Sequence, residues 1–187
     1  MARRGAVLSD GVVTLRQWRR TDVPAIVAAC QDEEVLRWLD RIPSPYGEAE
    51  ANTWLDQLEA GRSEGSFFGL AVTDDGDDRV LGAISLTVKE AEDGVAEIGY
   101  WLAREERGRG VMTRALRLLA GWGLDDLGLE RLYLRADPEN RASCAVAERA
   151  GFVYEGVQRS EHYNPRLGRR VDFAIYSLLR GERERVV

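Results

Sequence analysis

Cysteine and histidine are scarce in this sequence of 187 residues, which limits the chemistry it can carry. Its two cysteines, Cys30 and Cys144, and its single histidine, His162, follow no spacing typical of a metal site. Neither cysteine has a predicted base beside it that would activate the thiol as a nucleophile. We therefore expect no metal and no covalent cysteine intermediate, and two reduced thiols are typical of a cytoplasmic protein.

Long apolar runs are also missing. No segment approaches the roughly 20 apolar residues of a membrane helix, and the N-terminal stretch has no apolar run of signal-peptide length. We therefore expect no membrane partner and a cytoplasmic location. Basic residues number 26 and acidic residues 32, and the net charge of −6 argues against direct nucleic-acid binding. The same charge suits a cationic small molecule or a basic protein terminus.

The hydrophobic pattern predicts one domain that covers residues 1–187, with a core over about 11–180 and a flexible tail after residue 180. Alternating apolar residues and turn signals predict strands at 11–17, 66–73, 79–89, 95–103, 131–136, 152–158 and 171–179. Helical spacing predicts a helix with Thr21 as its N-cap, and further helices that span 33–39, 48–60 (ended by Gly61), 111–124 and 140–149. His162 is predicted to lie in the loop between the last two strands.

The stretch from Trp101 to Thr113 carries the clearest chemical signal. A strand runs into a short loop with Gly108 and Gly110, and a helix follows at once. Unpaired N–H groups and the positive end of the helix dipole then converge on one point, which suits a phosphate or diphosphate. A dinucleotide fingerprint needs a third glycine where Thr113 stands, and a P-loop needs a lysine that is absent. A tight turn without a ligand remains the alternative.

Three segments together resemble the GNAT acetyltransferases. The first runs from Arg107 through Gly110, with Met112 where glycine or alanine is usual. The others are 137–143, continued by Ala150-Gly-Phe152, and 97–102. The resemblance covers nearly the whole chain and is greatest to the ribosomal-protein N-terminal acetyltransferases of the RimJ/RimL type. It implies an α/β fold with a mixed, mostly antiparallel sheet of six or seven strands and helices on both faces.

The resemblance also implies a binding site for acetyl-coenzyme A. The pantetheine arm is expected between the strands at 95–103 and 131–136, like an added strand. The expected binding groups are the main chains of Trp101, Leu102 and Ala103, the amides of Gly108, Arg109, Gly110, Val111, Met112 and Thr113, and the side chains of Arg107, Arg109, Asn140 and Ser143. Asn140 is equally suited to cap the helix that follows it.

Two residues are predicted to move protons. Glu97 interrupts an apolar strand and is the candidate general base, although an ion pair on the strand face would also explain it. Many GNAT enzymes have a tyrosine seven residues after the asparagine that protonates the departing thiolate, and this chain has Ala147 at that position. The RimJ/RimL type has a serine three residues after the asparagine, and this implies that Ser143 bonds the coenzyme sulfur and acts as the acid. A first-turn helix serine that satisfies a backbone group is the alternative.

We therefore expect an acetyl-coenzyme A-dependent N-acetyltransferase that acts by direct attack in a ternary complex. The expected acceptor is a primary amine, with a protein or peptide N-terminus preferred to an antibiotic or polyamine. A non-catalytic coenzyme-binding module is the second class of alternative. Candidate residues of the acceptor pocket are Trp18, Trp38, Tyr46, His162 and Tyr163. The protein is expected to be a monomer or a homodimer.

Overall fold

The central sheet has more strands than the sequence predicts. The computed structural model describes residues 7–186. The strands are β1 (Leu8–Ser9), β2 (Val13–Arg16), β3 (Phe67–Asp74), β4 (Val80–Glu90), β5 (Val95–Leu102), β6 (Arg131–Ala136), β7 (Val153–Asn164) and β8 (Arg169–Leu179). Within the described residues they form one sheet of eight strands, in the order β1-β2-β3-β4-β5-β6-β8-β7. The additional strand is β1, whose two residues are too few to show an alternating pattern.

Strand direction confirms a mixed, mostly antiparallel sheet. β5 and β6 run parallel, and the other neighbouring pairs in the described residues are antiparallel. The parallel pair is joined through a helix, as a parallel connection requires. That crossover places the loop with Gly108 and Gly110 at the end of β5, in the middle of the sheet. The predicted α/β fold is therefore confirmed, and its central connection carries the predicted anion site.

Five α-helices are present in the described residues: α1 (Val23–Ala29), α2 (Glu33–Trp38), α3 (Glu48–Glu64), α4 (Val111–Asp125) and α5 (Arg141–Arg149). The predicted N-cap at Thr21 is wrong, because Thr21 lies in a separate 3₁₀ turn and Asp22 is the N-cap of α1, which begins at Val23. The predicted end of α3 at Gly61 is also wrong. Gly61 stays helical and packs against Phe67, and Gly65, with φ of 77°, ends the helix.

Helices cover both faces of the sheet, as predicted. The larger apolar cluster joins α4 and α5 to one face and includes Leu116, Leu119 and Leu132. A second cluster forms around α1 and α3, with Leu55 and Leu58 buried in it. β3 belongs to both clusters because successive side chains point to opposite faces of a strand. No helix among the described residues is long and apolar enough to cross a membrane.

The C-terminal third differs from the sequence prediction in β7. This strand extends to Asn164, so His162 lies in a strand and pairs with Val171 of β8 rather than lying in a loop. The pattern is hard to recognise because nearly every side chain of β7 is exposed and the ladder is interrupted between residues 158 and 162. Arg180–Val186 forms a 3₁₀ helix, and the flexibility of this tail stays a prediction.

Candidate active site

A cleft opens in the middle of the sheet because its parallel pair separates. β5 and β6 are paired at only three positions, the last of which joins Glu97 to Tyr133. Beyond that point the strands diverge, and Ile98 to Leu102 face residues 134–136 across an open space of about 270 Å³. This is the splayed geometry that the resemblance implied. The exposed edges of the two strands leave main-chain groups available to an extended ligand.

Two walls of this cleft are built differently. The glycine wall is the continuous stretch 98–113, which includes the end of β5, the loop and the start of α4. The histidine wall combines residues 34–40, from α2 and the loop after it, with residues 162–173 of the β7–β8 hairpin. Ser143 of α5 lines the same cleft. The predicted coenzyme residues are thus in the glycine wall or beside it.

The loop of the glycine wall leaves a set of N–H groups without partners. Gly108 and Gly110 have φ of 75° and 77°, in the left-handed region that favours glycine. A Cβ at either position would meet no atom within 4 Å, so the space beside the loop is open. In the described part of the chain, no protein atom accepts from the N–H groups of Val111, Met112 and Thr113. These groups and the positive helix end make the loop suited to an anion.

The arginines of this loop already have carboxylate partners. Arg107 bonds Asp32 with its Nη2 (2.9 Å) and the Leu102 carbonyl with its Nε (3.2 Å). Arg109 bonds Glu106 (2.7 Å), while most of its side chain stays exposed. Arg107 therefore ties the loop to the start of α2, and Arg109 is the freer of the two cations. The Met112 side chain is buried in the core, where it also borders the cleft.

At the end of β5, the main-chain N–H of Leu102 faces the cleft. The Ala103 N–H donates to the Leu81 carbonyl (2.8 Å), so it points toward β4. Because residues of a strand alternate in the side to which their backbone groups point, Trp101 also faces β4. Leu102 and Tyr100 then direct their N–H groups toward the cleft. Of the three predicted main-chain donors, Leu102 has the orientation that a ligand lying between β5 and β6 requires.

Ser143 makes a contact that the sequence did not reveal. Its Oγ lies 2.9 Å from the Tyr100 hydroxyl, which also donates to the Ser143 carbonyl (3.2 Å). Burial raises the pKa of Tyr100 to about 12, so the phenol stays protonated near neutral pH. Asn140 caps α5 by accepting from the Ser143 N–H (3.1 Å), which confirms the capping alternative. The sequence does not reveal Tyr100 because its contact with Ser143 joins β5 to α5 and follows from no local pattern.

Glu97 lies where β5 and β6 begin to separate, and two cations surround it. Arg135 donates to its Oε1 (2.8 Å), and Lys89 lies 3.0 Å from its Oε2. Burial raises the pKa of the Glu97 carboxyl, but the hydrogen bonds from Lys89 and Arg135 outweigh it and the pKa is lowered. The ion-pair alternative for this strand carboxylate is therefore present in the structure. Glu97 holds the side chain of Arg135, which lines the cleft.

The histidine wall includes a hydrogen-bonded pair that sequence reasoning could not predict. His162 Nε2 lies 2.6 Å from Asp40 Oδ2, although the two residues are 122 positions apart in the chain. The ring of His162 stacks on Phe173, with centroids 6.0 Å apart, and the guanidinium of Arg135 lies 5.2 Å from the same ring. Asp40, His162, Phe173 and Arg135 all line the cleft. Predicting this pair required the fold, because neither residue lies in a recognisable motif.

Of the remaining candidates for an acceptor pocket, one lines the cleft and three lie elsewhere. Trp38 lines the cleft and its indole N–H donates to Glu34 (2.8 Å). Trp18 instead packs edge-on against Trp54 and lines a separate cavity, and Tyr46 packs against the second apolar cluster. Tyr163 is exposed and does not line the cleft. Within residues 7–186, no group of three or more potential ligands is arranged to hold a metal ion.

Comparison with known proteins agrees with the geometry. A family model described as an acetyltransferase (GNAT) domain matches residues 13–153. The uncharacterized N-acetyltransferase p20 of Bacillus licheniformis is 28% identical over 170 residues, 91% of this chain and 94% of p20. The ribosomal-protein-serine acetyltransferase of Escherichia coli strain K12 is 32% identical over 87 residues, 46% of this chain and 49% of that protein.

The fold comparison gives the same result. The structure of RimL, a ribosomal L7/L12 alpha-N-protein acetyltransferase in complex with coenzyme A, matches with a TM-score of 0.84 and 21% identity. The match covers 93% of this chain and 98% of that one. The chain belongs to the GNAT acetyltransferase family, and it is an N-acetyltransferase with relatives that act on ribosomal proteins.

Proposed function

We propose that this protein transfers the acetyl group of acetyl-coenzyme A to a primary amine, by direct attack in a ternary complex. The observation that carries the proposal is the cleft between β5 and β6, which ends at the unpaired N–H groups of α4. A diphosphate at those N–H groups and a pantetheine arm along Leu102 would bring the thioester toward Ser143. RimL, which shares the fold, was solved with coenzyme A.

The proposed acceptor is the N-terminal amine of a protein or peptide. The similarity to a ribosomal-protein-serine acetyltransferase supports this class. The cleft is open at the surface, and three acidic residues, Glu34, Asp40 and Asp137, contribute to its lining. Its two arginines, Arg107 and Arg135, are paired with carboxylates outside the lining. The acidic groups favour a cationic acceptor. A small-molecule amine would use the same acidic lining, so the acceptor class needs a direct test.

The proposed acid is Ser143, assisted by Tyr100. When the amine attacks the thioester carbon, the carbon–nitrogen bond forms and the carbon–sulfur bond breaks, leaving a thiolate. If the Tyr100 hydroxyl donates to Ser143 Oγ in place of the Ser143 carbonyl, the serine proton is free to bond the sulfur. The N–H of Leu102 is placed to polarise the thioester carbonyl. Tyr100 thus supplies the phenol that the family usually carries at the position of Ala147.

Glu97 remains the base proposed from the sequence. In that role it would take a proton from the acceptor amine, directly or through water. The two ion pairs oppose the role, because they stabilise the carboxylate and lower its pKa. The Glu97→Gln variant tests it. If Glu97 is the base, turnover falls mainly at lower pH, where free amine is scarce, and coenzyme binding stays intact.

Release of free thiol measures the proposed reaction. We would incubate the protein with acetyl-coenzyme A and, separately, with a peptide bearing a free N-terminal serine, the same peptide with its terminus blocked, and spermidine. Thiol release with the free peptide alone supports the proposal. Release with spermidine alone assigns the protein to small-molecule acetylation instead.

Coenzyme binding is measured independently of turnover. Acetyl-coenzyme A should raise the melting temperature, while ATP and NAD at equal concentration should not, because binding to the native state alone raises stability. Stabilisation by acetyl-coenzyme A without thiol release from any acceptor would indicate a non-catalytic coenzyme-binding module. No stabilisation at all would contradict the proposed coenzyme site.

A further inference from the structure

Glu97, the base proposed from the sequence, is held in two ion pairs and does not line the cleft, so we consider a different proton acceptor among the titratable groups that do line it. Of these, His162 has the geometry that the role requires. Its ring lines the cleft, about a quarter of its side chain is exposed, at 26%, and one nitrogen is fixed by a carboxylate. Asp40, the carboxylate, is 10% exposed. A nearly buried carboxylate beside a partly open histidine is an arrangement that orients the ring and selects its tautomer.

The contact determines which nitrogen is free. Asp40 Oδ2 lies 2.6 Å from His162 Nε2, so a neutral ring keeps its proton on Nε2 and donates it to the carboxylate. Nδ1 is then the basic nitrogen. Among the described residues, no protein group bonds Nδ1, and His162 is the single partner of Asp40. Stacking on Phe173 fixes the plane of the ring.

The hairpin brings this ring to the open side of the cleft. β6 ends at Ala136, which pairs with Ala174 of β8. β8 continues past that point to Phe173 and beyond, and β7 runs beside it, so both strands overhang the end of β6. The side chain of Asn164 donates to the Arg37 carbonyl (3.1 Å) and holds the segment after α2 against the hairpin. This places Asp40 within reach of His162.

The other charged groups around the ring are already engaged. On α2, Glu34 accepts from the Trp38 indole, and Arg37 lies near Glu139 and over the Trp38 ring. On β6, Arg135 donates to Glu97. On β8, Arg170 donates to the Ser160 hydroxyl and Asp172 accepts from the Ser160 N–H. Within the described residues, none of them bonds His162. Asp40 is thus the charged group that acts on the ring directly.

We propose that His162, held by Asp40, takes the proton from the acceptor amine. The proposal rests on the proposed acetyl transfer and names the acceptor end of the same site. The ammonium group of the acceptor gives one proton to Nδ1, and the free amine then attacks the thioester carbon. The tetrahedral intermediate loses a second proton, which reaches the departing thiolate by way of Ser143. The imidazolium then passes its proton to water, so the sum is one amide, one thiol and one released proton.

The test compares His162→Gln with Glu161→Gln in the wild-type background. Glu161 is the exposed neighbour on the same strand and does not line the cleft, so it controls for a charge-removing or amide-introducing change in β7. We would measure kcat from pH 6 to 9 with the peptide that has a free N-terminal serine, and the Kd of acetyl-coenzyme A by calorimetry. We expect His162→Gln to lower kcat by about 100-fold, the low end of the usual effect of a general base.

The shape of the pH profile separates proton transfer from structure. We expect wild type and Glu161→Gln to reach a plateau as pH rises, while kcat of His162→Gln keeps rising because only solvent base remains. The Kd of acetyl-coenzyme A should stay within about 2-fold, a difference under about 0.5 kcal/mol. Asp40→Asn, which preserves size but not charge, should change the profile in the same direction, and it serves if His162→Gln does not fold.

Three results would decide the matter. A His162→Gln variant with unchanged kcat and an unchanged profile overturns the proposal. So does a loss of kcat that is equal at every pH, because that indicates a structural defect. A wild-type protein that binds acetyl-coenzyme A but releases no thiol with any acceptor rejects the proposed function itself. The first two results leave that function standing, so the two failures are distinguishable.

Discussion

The glycine wall and the histidine wall face each other across one cleft, yet they depend on the chain in different ways. The glycine wall is continuous in sequence, and its ligand groups are main-chain N–H groups exposed by Gly108 and Gly110. The histidine wall combines segments more than 120 positions apart, as the 122-residue separation of Asp40 and His162 shows. Its chemistry depends on side chains whose meeting requires the whole fold.

The difference indicates how each wall should respond to mutation. A backbone-built wall tolerates changes of side chain but not of main-chain conformation or of the space beside it. A side-chain wall loses function when one partner is removed, even if the backbone is untouched. The following experiments test this contrast, and they are arranged by the size of the effect we expect.

The largest effect is expected from Gly110→Val. Gly110 has φ of 77° and open space beside it, so valine would strain the turn and place methyl groups where we propose the diphosphate lies. We expect the Kd of acetyl-coenzyme A to rise by about 100-fold, about 2.7 kcal/mol. Calorimetry measures the Kd, and thermal unfolding should show a separate stability loss of about 1–2 kcal/mol for a left-handed residue.

Gly128→Val is the matched control. Gly128 also has positive φ, of 72°, and no atom within 4 Å of an added Cβ, but it lies at the other end of α4 and outside the cleft. It should reproduce the stability loss and leave the Kd unchanged. If both variants weaken binding equally, backbone strain alone explains the Gly110 result. The result would then give no support to a coenzyme site in the glycine wall.

A smaller effect is expected where a side chain completes the glycine wall. We expect Ser143→Ala to lower kcat by about 10-fold or more, and Tyr100→Phe to lower it less, because the serine is the proposed donor to sulfur. The double variant should be no worse than Ser143→Ala, since the two hydroxyls act through one contact of 2.9 Å. Steady-state kinetics checks this, and fully additive losses would separate the two hydroxyls.

Asn164→Asp tests how the histidine wall is held. Asn164 Oδ1 accepts from Arg166 and Leu167 in the turn, while its Nδ2 donates to the Arg37 carbonyl. Aspartate keeps the turn and removes the donor, and its charge faces a carbonyl. We expect KM for the peptide acceptor to rise several-fold, the scale of one lost hydrogen bond, and the Kd of acetyl-coenzyme A to stay unchanged. An increase in Kd without a change in KM would contradict the division of the cleft.

The smallest effect concerns Glu97 and stability. The pKa of Glu97 is lowered in the folded protein, so the unfolded chain binds more protons at low pH. The contribution of the Glu97 ion pairs to the free energy of unfolding is therefore present above about pH 4.3, and it is lost as the pH falls through the pKa of the folded state. Glu97→Gln should therefore flatten the dependence of unfolding free energy on pH below about 4.3. Denaturant titrations at several pH values measure this.

Glu155→Gln is the comparison for Glu97. The hydrogen bond from Arg131 lowers the pKa of Glu155 to about 2, and the residue lies outside the cleft. It should flatten the acid dependence of stability in the same direction without any change in kcat. If Glu97→Gln behaves like Glu155→Gln in both measurements, Glu97 is a structural ion pair. A kcat that falls only at low pH in Glu97→Gln restores it as a base.

The sequence predicted the glycine wall well because its signals are local. The alternation of β5, the glycines and the apolar stripe of α4 each reflect contacts over a few residues, and their order along the chain is their order in space. Tyr100 escaped notice although it lies in a recognised strand. Its contact with Ser143 joins a strand to a helix, and a spacing counted along the chain from Asn140 leads to Ala147 and not to Tyr100.

The histidine wall could not be predicted in the same way. His162 was placed in a loop because the exposed side chains of β7 hide any alternation between a buried and a solvated face. Asp40 follows the end of α2, where no local pattern distinguishes it from an ordinary surface carboxylate. Glu97 shows the intermediate case. Its unusual place in an apolar strand was visible, but Lys89 and Arg135 come from the neighbouring strands on either side.

The bonds of the β7–β8 turn to the segment after α2 have a consequence for redesign. The side chains of Asn164 and Arg166 donate hydrogen bonds to the carbonyls of Arg37 and Ile42. Two regions that are far apart in the sequence are therefore held together. Replacing either region alone with that of a relative would remove these hydrogen bonds, whereas replacing both together would preserve them. Acceptor range in chimeras of this chain should accordingly follow the pair of segments, not either one by itself.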